Sequence, residues 1–228
     1  MTTRPKIEDL KRAIETADRA IGAYGEQIVA NNMERCGWQV MERDEFFPRM
    51  IEAGIPDPAS FIDLGFRRFD AETEDYEWEL VQVKTVCTAQ DDIEFVKLHI
   101  AEKKLRRYIQ YAQIIMSEID FFCVASDEVT QLFPVGTKIS VYIVTPIALY
   151  RVDMLDLNKC PRSETDPNKL MVYIGPMEQR GPLEPWHSDK ERGRWTEGRK
   201  LESNCLKRNK LHQNLRHLHR YGFNRDLF

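Results

Sequence analysis

The chain has 228 residues, of which 42% are hydrophobic and 31% charged, so it is long enough to bury a substantial core and gross disorder is excluded. Its formal net charge of −4 argues against a uniformly basic nucleic-acid binder. The five cysteines, without a Cys-X-X-Cys pair, fit a reducing cytosol better than a secreted disulfide framework. No apolar run approaches the roughly 20 residues of a membrane span, and the first residues lack the apolar core of a signal peptide. We therefore expect a cytoplasmic protein without membrane contact.

A long helix is the first predicted element. Apolar residues recur at helical intervals from about Glu8 to Arg35 and predict one helix, or two consecutive ones broken near Gly22 and Gly25. Gly37 is typical of a helix stop. Trp38 to Met41 is then the first predicted strand. The proline-containing stretch that follows, Asp44 to Ser60, predicts a loop.

A β-hairpin is predicted from Phe61 to Val86. The first arm runs from Phe61 to Phe66 and the second from Glu79 to Val86. Between them, the polar and acidic run from Arg67 to Trp78 predicts the turn. This hairpin is the feature around which the remaining predictions are organised.

Three polar side chains share one face of this hairpin. Alternation along a strand puts Gln82 and Lys84 on one face and the valines beside them on the other. Pairing Asp63 with Gln82 or with Lys84 centres the turn inside the polar run, and either register brings an Asp, a Gln and a Lys together. Neighbouring strands lie about 5 Å apart, which leaves room for a metal ion and a water between these groups.

The later elements alternate between strands and helices. A short strand is predicted at Ile93 to Val96 and an amphipathic helix from Ala101 to Met116, with basic residues on its outer face. Further predicted elements are strands at Ile119–Ala125, Ser140–Val144 and Leu170–Ile174, and a helix within Glu191–Tyr221. We expect a core domain over residues 1–155 and a basic, partly helical extension over residues 156–228.

The hairpin resembles the signature of the PD-(D/E)XK nuclease superfamily, an Asp on one strand followed by (Asp/Glu/Gln)-X-Lys on the next. Here the signature is Asp63 with Gln82-Val83-Lys84. Most members have an acid at the position of Gln82. The segment from Val81 to Thr85 is similar to the corresponding segment in a Gln-X-Lys branch of the superfamily, which includes homing endonucleases encoded in bacterial group I introns.

The resemblance implies an α/β fold with an αβββαβ restriction-endonuclease-like core, a central mixed sheet flanked by helices, over about Ala20 to Arg151. It also implies a glutamate on the first helix that helps to bind the metal, and Glu26 matches that position. Pro56-Asp57 is literally the dipeptide in the superfamily's name. We prefer Asp63 as the acid because Asp57 lies between two prolines, outside any strand pattern.

The implied activity is metal-dependent hydrolysis of phosphodiester bonds in DNA. The catalytic residues would be Asp63, Gln82, Lys84 and Glu26. Mg²⁺, for which Mn²⁺ can substitute, would be bound by Asp63, Glu26 and the backbone carbonyl of Val83, since Mg²⁺ prefers oxygen ligands and keeps several waters. Gln82 offers a neutral amide oxygen, so Glu26 supplies charge that the hairpin alone lacks. Lys84 would stabilise negative charge or orient the attacking water.

The charge distribution predicts where DNA binds. Residues 180–228 carry 12 Lys and Arg against 6 Asp and Glu, while residues 1–179 carry 21 against 31, a net charge of −10. A basic tail thus follows an acidic body, which indicates a nucleic-acid contact or a solvated basic helix. The predicted phosphate-binding residues are Arg199, Lys200, Lys207, Arg208, Lys210, Arg216 and Arg220.

Several functions remain open at this point. A homing-type endonuclease is the first choice, followed by a Holliday-junction resolvase or a restriction-type nuclease. The neutral Gln82 motivates an alternative, a non-catalytic nucleic-acid-binding or protein-interaction domain that retains the nuclease fold. A purely structural protein would leave Asp63 and Lys84 without a purpose. Double-strand cutting by a single-site nuclease needs two copies, so we expect a homodimer or a higher homo-oligomer.

Overall fold

The computed structural model describes residues 7–87, 95–116, 132–173, 184–187 and 196–221, which form a mixed α/β fold. The helices are α1 (Ile7–Arg35), α2 (Arg43–Glu52), α3 (Glu102–Met116) and α4 (Thr196–Tyr221). The strands are β1 (Gln39–Met41), β2 (Leu64–Asp70), β3 (Asp75–Thr85), β4 (Phe95–His99), β5 (Lys138–Val144), β6 (Leu149–Asp153), β7 (Arg162–Ser163), β8 (Asp166–Tyr173) and β9 (Glu184–His187). None of the described helices is long and apolar enough to cross a membrane.

The central sheet has six strands in the order β1-β2-β3-β5-β6-β9. Neighbouring strands in this sheet are antiparallel, except β3 and β5, which run parallel. A parallel pair needs a long crossover connection, and α3 lies within the chain that joins these two strands. A smaller sheet has the order β4-β8-β7.

Helices cover both faces of the central sheet. On one face, Val29 of α1 and Leu201 of α4 pack in a buried cluster with Val81 of β3. On the other face, Phe46 of α2 and Leu105 of α3 belong to a larger cluster with apolar residues of β3, β5 and the smaller sheet. The two clusters account for the alternation along β3, because successive side chains of a strand point to opposite faces.

Most predicted elements of the first half are present. Helix α1 is continuous through Gly22 and Gly25, so the prediction of one long helix is the right alternative. Gly37, with φ of 83°, ends it in the left-handed conformation that glycine adopts without steric penalty. The amphipathic helix and the strand that begins near Ser140 are confirmed as α3 and β5.

The prediction of a loop from Asp44 to Ser60 is wrong, because α2 occupies its first part. The backbone N–H of Glu42 donates to Glu45 Oε1 at 2.9 Å, a hydrogen bond of the kind that stabilises the first turn of a helix. Phe46 and Met50 are both fully buried, so the packing of one helix face outweighs the presence of Pro48 within the helix.

The prediction that Arg67 to Trp78 forms the hairpin turn is also wrong. Strand β2 begins at Leu64 and continues to Asp70, and β3 begins at Asp75. Cross-strand pairs stabilise this polar part of the hairpin: Arg68 donates to Glu77 at 2.7 Å, and the rings of Phe69 and Tyr76 lie 5.5 Å apart in an edge-to-face arrangement.

The chain after residue 155 pairs with strands that precede it. Strand β9 pairs with β6 in the central sheet, and β8 pairs with β4 in the smaller one. The division into a core and an extension remains a prediction. The strand predicted at Ile119–Ala125 lies outside the described residues, as do parts of the elements predicted at Ile93–Val96, Leu170–Ile174 and Glu191–Tyr221.

A disulfide joins Cys87, just beyond β3, to Cys205 of α4, with a Cα–Cα distance of 5.5 Å. This pairing departs from the expectation that the cysteines are reduced. It was not predictable, because the two residues are 118 positions apart and no spacing pattern links them. The bond attaches the C-terminal helix to the end of the strand that carries Gln82 and Lys84.

Candidate active site

Asp63 lies at the irregular end of the hairpin, just before β2. The ladder of β2 and β3 ends with the pair Leu64 and Val81, the register that the pairing of Asp63 with Gln82 requires. The backbone N–H of Asp63 donates instead to the carbonyl of Val81 at 2.9 Å, one residue out of that register. Asp63 is therefore next to Gln82 through its side chain and not through a backbone pair.

The carboxylate of Asp63 is held by β3. Its Oδ2 accepts a hydrogen bond of 2.7 Å from the backbone N–H of Val83 and a second one from the side-chain amide of Gln82. In a strand, the N–H and C=O of one residue point toward the same neighbouring strand. The carbonyl of Val83 therefore points to the side on which Asp63 lies.

Gln82 has an oxygen atom without a hydrogen-bond partner. The residue is 3% exposed, its nitrogen donates to Asp63, and its Oε1 is buried with no hydrogen-bond partner among the described residues. Leaving a buried acceptor unsatisfied costs about 1–3 kcal/mol. A cation or a water molecule beside the Asp63 carboxylate would remove that cost, because Oε1 is an acceptor.

Glu26 reaches the same site from α1. Gly25 packs so closely on β3 that a Cβ at this position would overlap the hydroxyl of Thr85, and this close approach puts the next residue, Glu26, at the end of the hairpin. Burial and then the charge of Asp63 raise the pKa of Glu26, whereas Arg43 and Lys84 act to lower it. The two carboxyl groups are therefore close enough to repel each other.

Lys84 completes the group from the same face of β3 as Gln82. Burial lowers the pKa of Lys84, and the charge of Lys104 acts in the same direction, while Asp63 and Glu26 act to raise it. The half-buried ammonium thus interacts with both carboxylates. The predicted residues Glu26, Asp63, Gln82 and Lys84 are brought together by two strands and one helix.

Tyr108 of α3 packs against the segment that leads to Asp63. Its hydroxyl donates to the carbonyl of Ser60, and its ring lies 5.1 Å from that of Phe61. Burial, followed by the charges of Asp63 and Asp57, raises the pKa of Tyr108. Asp57 itself is exposed and precedes a short 3₁₀ turn, so it lies outside the sheet.

The set of ligands for a metal ion is sparse. Among the described residues, no group of three or more His, Cys, Asp and Glu side chains is placed to hold an ion. The candidate ligands are two carboxylates, from Asp63 and Glu26, and two neutral oxygens, from the Gln82 side chain and the Val83 backbone. This donor set fits Mg²⁺, which is bound through one or two carboxylates and keeps several of its waters.

Two cations near the site were not singled out by the sequence. Arg43, the first residue of α2, donates through Nη2 to the backbone carbonyl of Asp63 at 3.4 Å. Lys104 of α3 has its Nζ 5.4 Å from the centroid of the Tyr108 ring. Arg43 directly precedes the stretch predicted as a loop, and Lys104 is one of the basic residues predicted on the outer face of its helix, so neither had a signal of its own.

The basic residues predicted to bind DNA lie on α4, which packs against α1. Arg208 makes an ion pair of 2.8 Å with Asp18, and Lys200 lies 4.8 Å from the ring centroid of Tyr24. The remaining predicted cations whose side chains are described are exposed on this helix: Arg199, Lys207, Lys210 and Arg216. The side chain of Arg220 lies outside the described residues.

The raised pKa of Glu26 has a consequence for stability in the absence of metal. A carboxyl whose folded-state pKa is raised destabilises the fold when it is ionised, so this penalty is present near neutral pH and disappears as the pH falls below the pKa of the unfolded chain. We expect Glu26→Gln to raise the Tm at pH 7 in EDTA, and this gain to vanish near pH 3.5.

Calorimetry of the wild type and the variant at both pH values measures this difference. Glu34→Gln, at an exposed position of the same helix, is the matched control and should leave the Tm unchanged. A gain of equal size at both pH values would contradict the electrostatic origin.

No known protein-family model, curated protein or solved structure matches this chain.

Proposed function

We propose that this chain is a Mg²⁺-dependent DNA endonuclease of the PD-(D/E)XK type that hydrolyses phosphodiester bonds, with a homing-type, sequence-specific activity as the first choice. The observation that carries the proposal is the juxtaposition of Glu26, Asp63 and Lys84 around the buried amide of Gln82. Two carboxylates and a lysine in a partly buried site are unfavourable in a purely structural protein, whereas phosphodiester hydrolysis uses all three.

The order of the elements supports an αβββαβ core. Helix α1 is followed by β1, β2 and β3, with α2 inserted between β1 and β2, and these strands are neighbours in the same order in the sheet. Helix α3 precedes β5, which is parallel to β3. Strand β5 would then be the strand that follows the second core helix.

Mg²⁺ would be held by Asp63, Glu26 and the carbonyl of Val83, with Gln82 Oε1 as a further oxygen beside them. Bound there, it would supply positive charge that lowers the pKa of a water nucleophile and neutralises charge on the phosphate. The chain's own contribution is to fix these oxygens: β3 orients Asp63 through the Val83 N–H and the Gln82 amide, and Gly25 lets Glu26 approach.

Lys84 would act on the phosphate as an ammonium ion. It is close to two carboxylates, which favour its charged form, and its half-buried position strengthens its interaction with negative charge that develops on a phosphate oxygen. The hydrogen bonds that β3 makes to Asp63 leave Lys84 on the adjoining position of the same face, so the lysine and the carboxylate approach the substrate from one side.

Cleavage and metal binding together test the proposal. The purified chain should cut at least one DNA among a library of random duplexes, a four-way junction and single-stranded DNA in Mg²⁺, and none of them in EDTA. The preferred substrate separates a homing-type or restriction-type enzyme from a junction resolvase. Titration with Mn²⁺ in solution should detect one bound ion. Glu26→Gln should lower the affinity for this ion about 10-fold or more, in the range found when groups that support a metal are removed.

A second candidate function follows from the neutral Gln82 and the sparse set of carboxylates. A nuclease fold without cleavage activity would bind DNA equally well in Mg²⁺ and in EDTA and would leave every substrate intact. Failure to bind Mn²⁺ at millimolar concentration, combined with intact DNA, would reject the endonuclease in favour of this binding domain. The expected homodimer is tested by sedimentation of the chain with and without duplex DNA.

A further inference from the structure

The basic helix α4 and the polar face of the active site lie on different sides of the central sheet. Helix α4 packs with α1 on the face of Val81 and Val83. Gln82 and Lys84 alternate with those valines and so point to the opposite face. The cations of α4 are therefore not the ones that adjoin Lys84.

Lys104 is an exposed cation on the face of Lys84. It lies one helical turn before Tyr108 and contacts that ring at 5.4 Å, and Tyr108 is anchored by its hydroxyl to the carbonyl of Ser60 in the segment that leads to Asp63. The Lys104 ammonium group thus lies against the residue that is anchored to the segment before Asp63.

Arg43 is an exposed cation of α2, the other helix on this face of the sheet. Its guanidinium donates to the carbonyl of Asp63 at 3.4 Å, and its Cζ lies 5.7 Å from the ring centroid of Phe47. Planar guanidinium groups that carry several donors suit phosphate oxygens. One long backbone contact uses little of that capacity, so the outward part of the group is available to a ligand.

We propose that Arg43 and Lys104 form a phosphate clamp, in which each binds one backbone phosphate of a nucleic acid on either side of the bond placed between Asp63 and Lys84. Glu26 and Asp63 repel a polyanion, and cations on two separate elements offset that repulsion while leaving the centre open. This assignment rests on the proposed function only in taking a nucleic acid as the ligand. It replaces α4 as the main phosphate-binding element.

Binding measured in EDTA tests the clamp without any cleavage. The affinity of a 20-base-pair duplex falls linearly with salt on logarithmic axes, with a slope of about −0.9 for each phosphate neutralised. We expect Arg43→Ala and Lys104→Ala each to weaken binding several-fold and to reduce the slope by about one. Arg43→Lys, which keeps the charge, should retain most of the slope.

The matched control on α3 is Lys103→Ala, at the exposed position next to Lys104, which should leave affinity and slope unchanged. The affinity and the salt slope of Lys207→Ala and Lys210→Ala test in the same way whether α4 binds phosphates. The clamp is overturned when Arg43→Ala and Lys104→Ala behave like Lys103→Ala, or when the wild type does not bind duplex DNA at all.

The outcomes separate this inference from the proposed function. A chain that binds DNA through Arg43 and Lys104 but never cuts it keeps the clamp and loses the endonuclease. A chain that cuts DNA while both variants retain the wild-type salt slope keeps the endonuclease and loses the clamp.

Discussion

Replacing Lys84 by methionine is expected to lower the single-turnover rate of DNA cleavage by about 100- to 1000-fold, the usual effect of removing one group that stabilises charge in a transition state. Methionine keeps an unbranched apolar chain of about the length of the lysine methylenes and removes the ammonium. Asp63→Asn should have an effect at least as large, since it removes the carboxylate that β3 orients and with it the affinity for Mg²⁺.

Neither loss should result from unfolding. Lys138→Met is the matched control, because Lys138 is an exposed lysine on the adjoining strand β5, at the end that pairs with Glu79 rather than beside the site. It should cleave at the wild-type rate. Circular dichroism and calorimetry verify that all three variants fold. A Lys84→Met chain that retains more than one tenth of the rate would remove Lys84 from the catalytic residues.

Gly25→Ala is expected to disable the site from a distance. The new methyl would overlap the Thr85 hydroxyl, so α1 must move away from β3 and take Glu26 with it. Overpacking of this kind lowers the free energy of unfolding by about 1–3 kcal/mol. We expect a parallel loss of Mn²⁺ affinity and of cleavage rate, although Gly25 itself contacts neither metal nor substrate.

The double variant Gly25→Ala/Thr85→Ala distinguishes this cause from a general loss of stability. Removing the threonine hydroxyl and methyl leaves only Thr85 Cβ, at 3.3 Å from the added methyl, so metal affinity and rate should largely recover. Gly22→Ala is the control on the same helix: nothing lies within 4 Å of its added Cβ, and alanine should stabilise the helix by about 0.5–1 kcal/mol without changing activity. No recovery in the double variant would mean that Gly25 does not position Glu26.

The active-site hairpin was predictable because two signals agreed there. The alternation of Val81, Gln82, Val83 and Lys84 defines the faces of β3, and the polar run before it limits the register to two choices. The ladder pairs Leu64 with Val81, which agrees with the Gln82 alternative up to that residue, and no sequence pattern encodes that choice. Glu26 was found only through the resemblance, since a glutamate on a helix is ordinarily a surface residue.

The missed features depend on contacts between distant parts of the chain. Helix α2 was hidden by Pro48, because the burial of Phe46 and Met50 is a tertiary effect that local propensity does not report. The outer half of the hairpin was assigned to a turn because its charges looked solvated, whereas Arg68 and Glu77 face each other across the two strands. Lys104 gained its place near the site only from the packing of α3.

The disulfide makes a covalent ring of the chain from Cys87 to Cys205. Glu26, Asp63, Gln82 and Lys84 all precede the ring, while Lys104 and the strands of the smaller sheet are part of it. A single backbone cut inside the ring would leave the two fragments linked, so a nicked chain would keep its mass until a thiol reductant separated them. A cut between Lys84 and Cys87 would instead leave no covalent link between the ring and the four residues of the candidate active site.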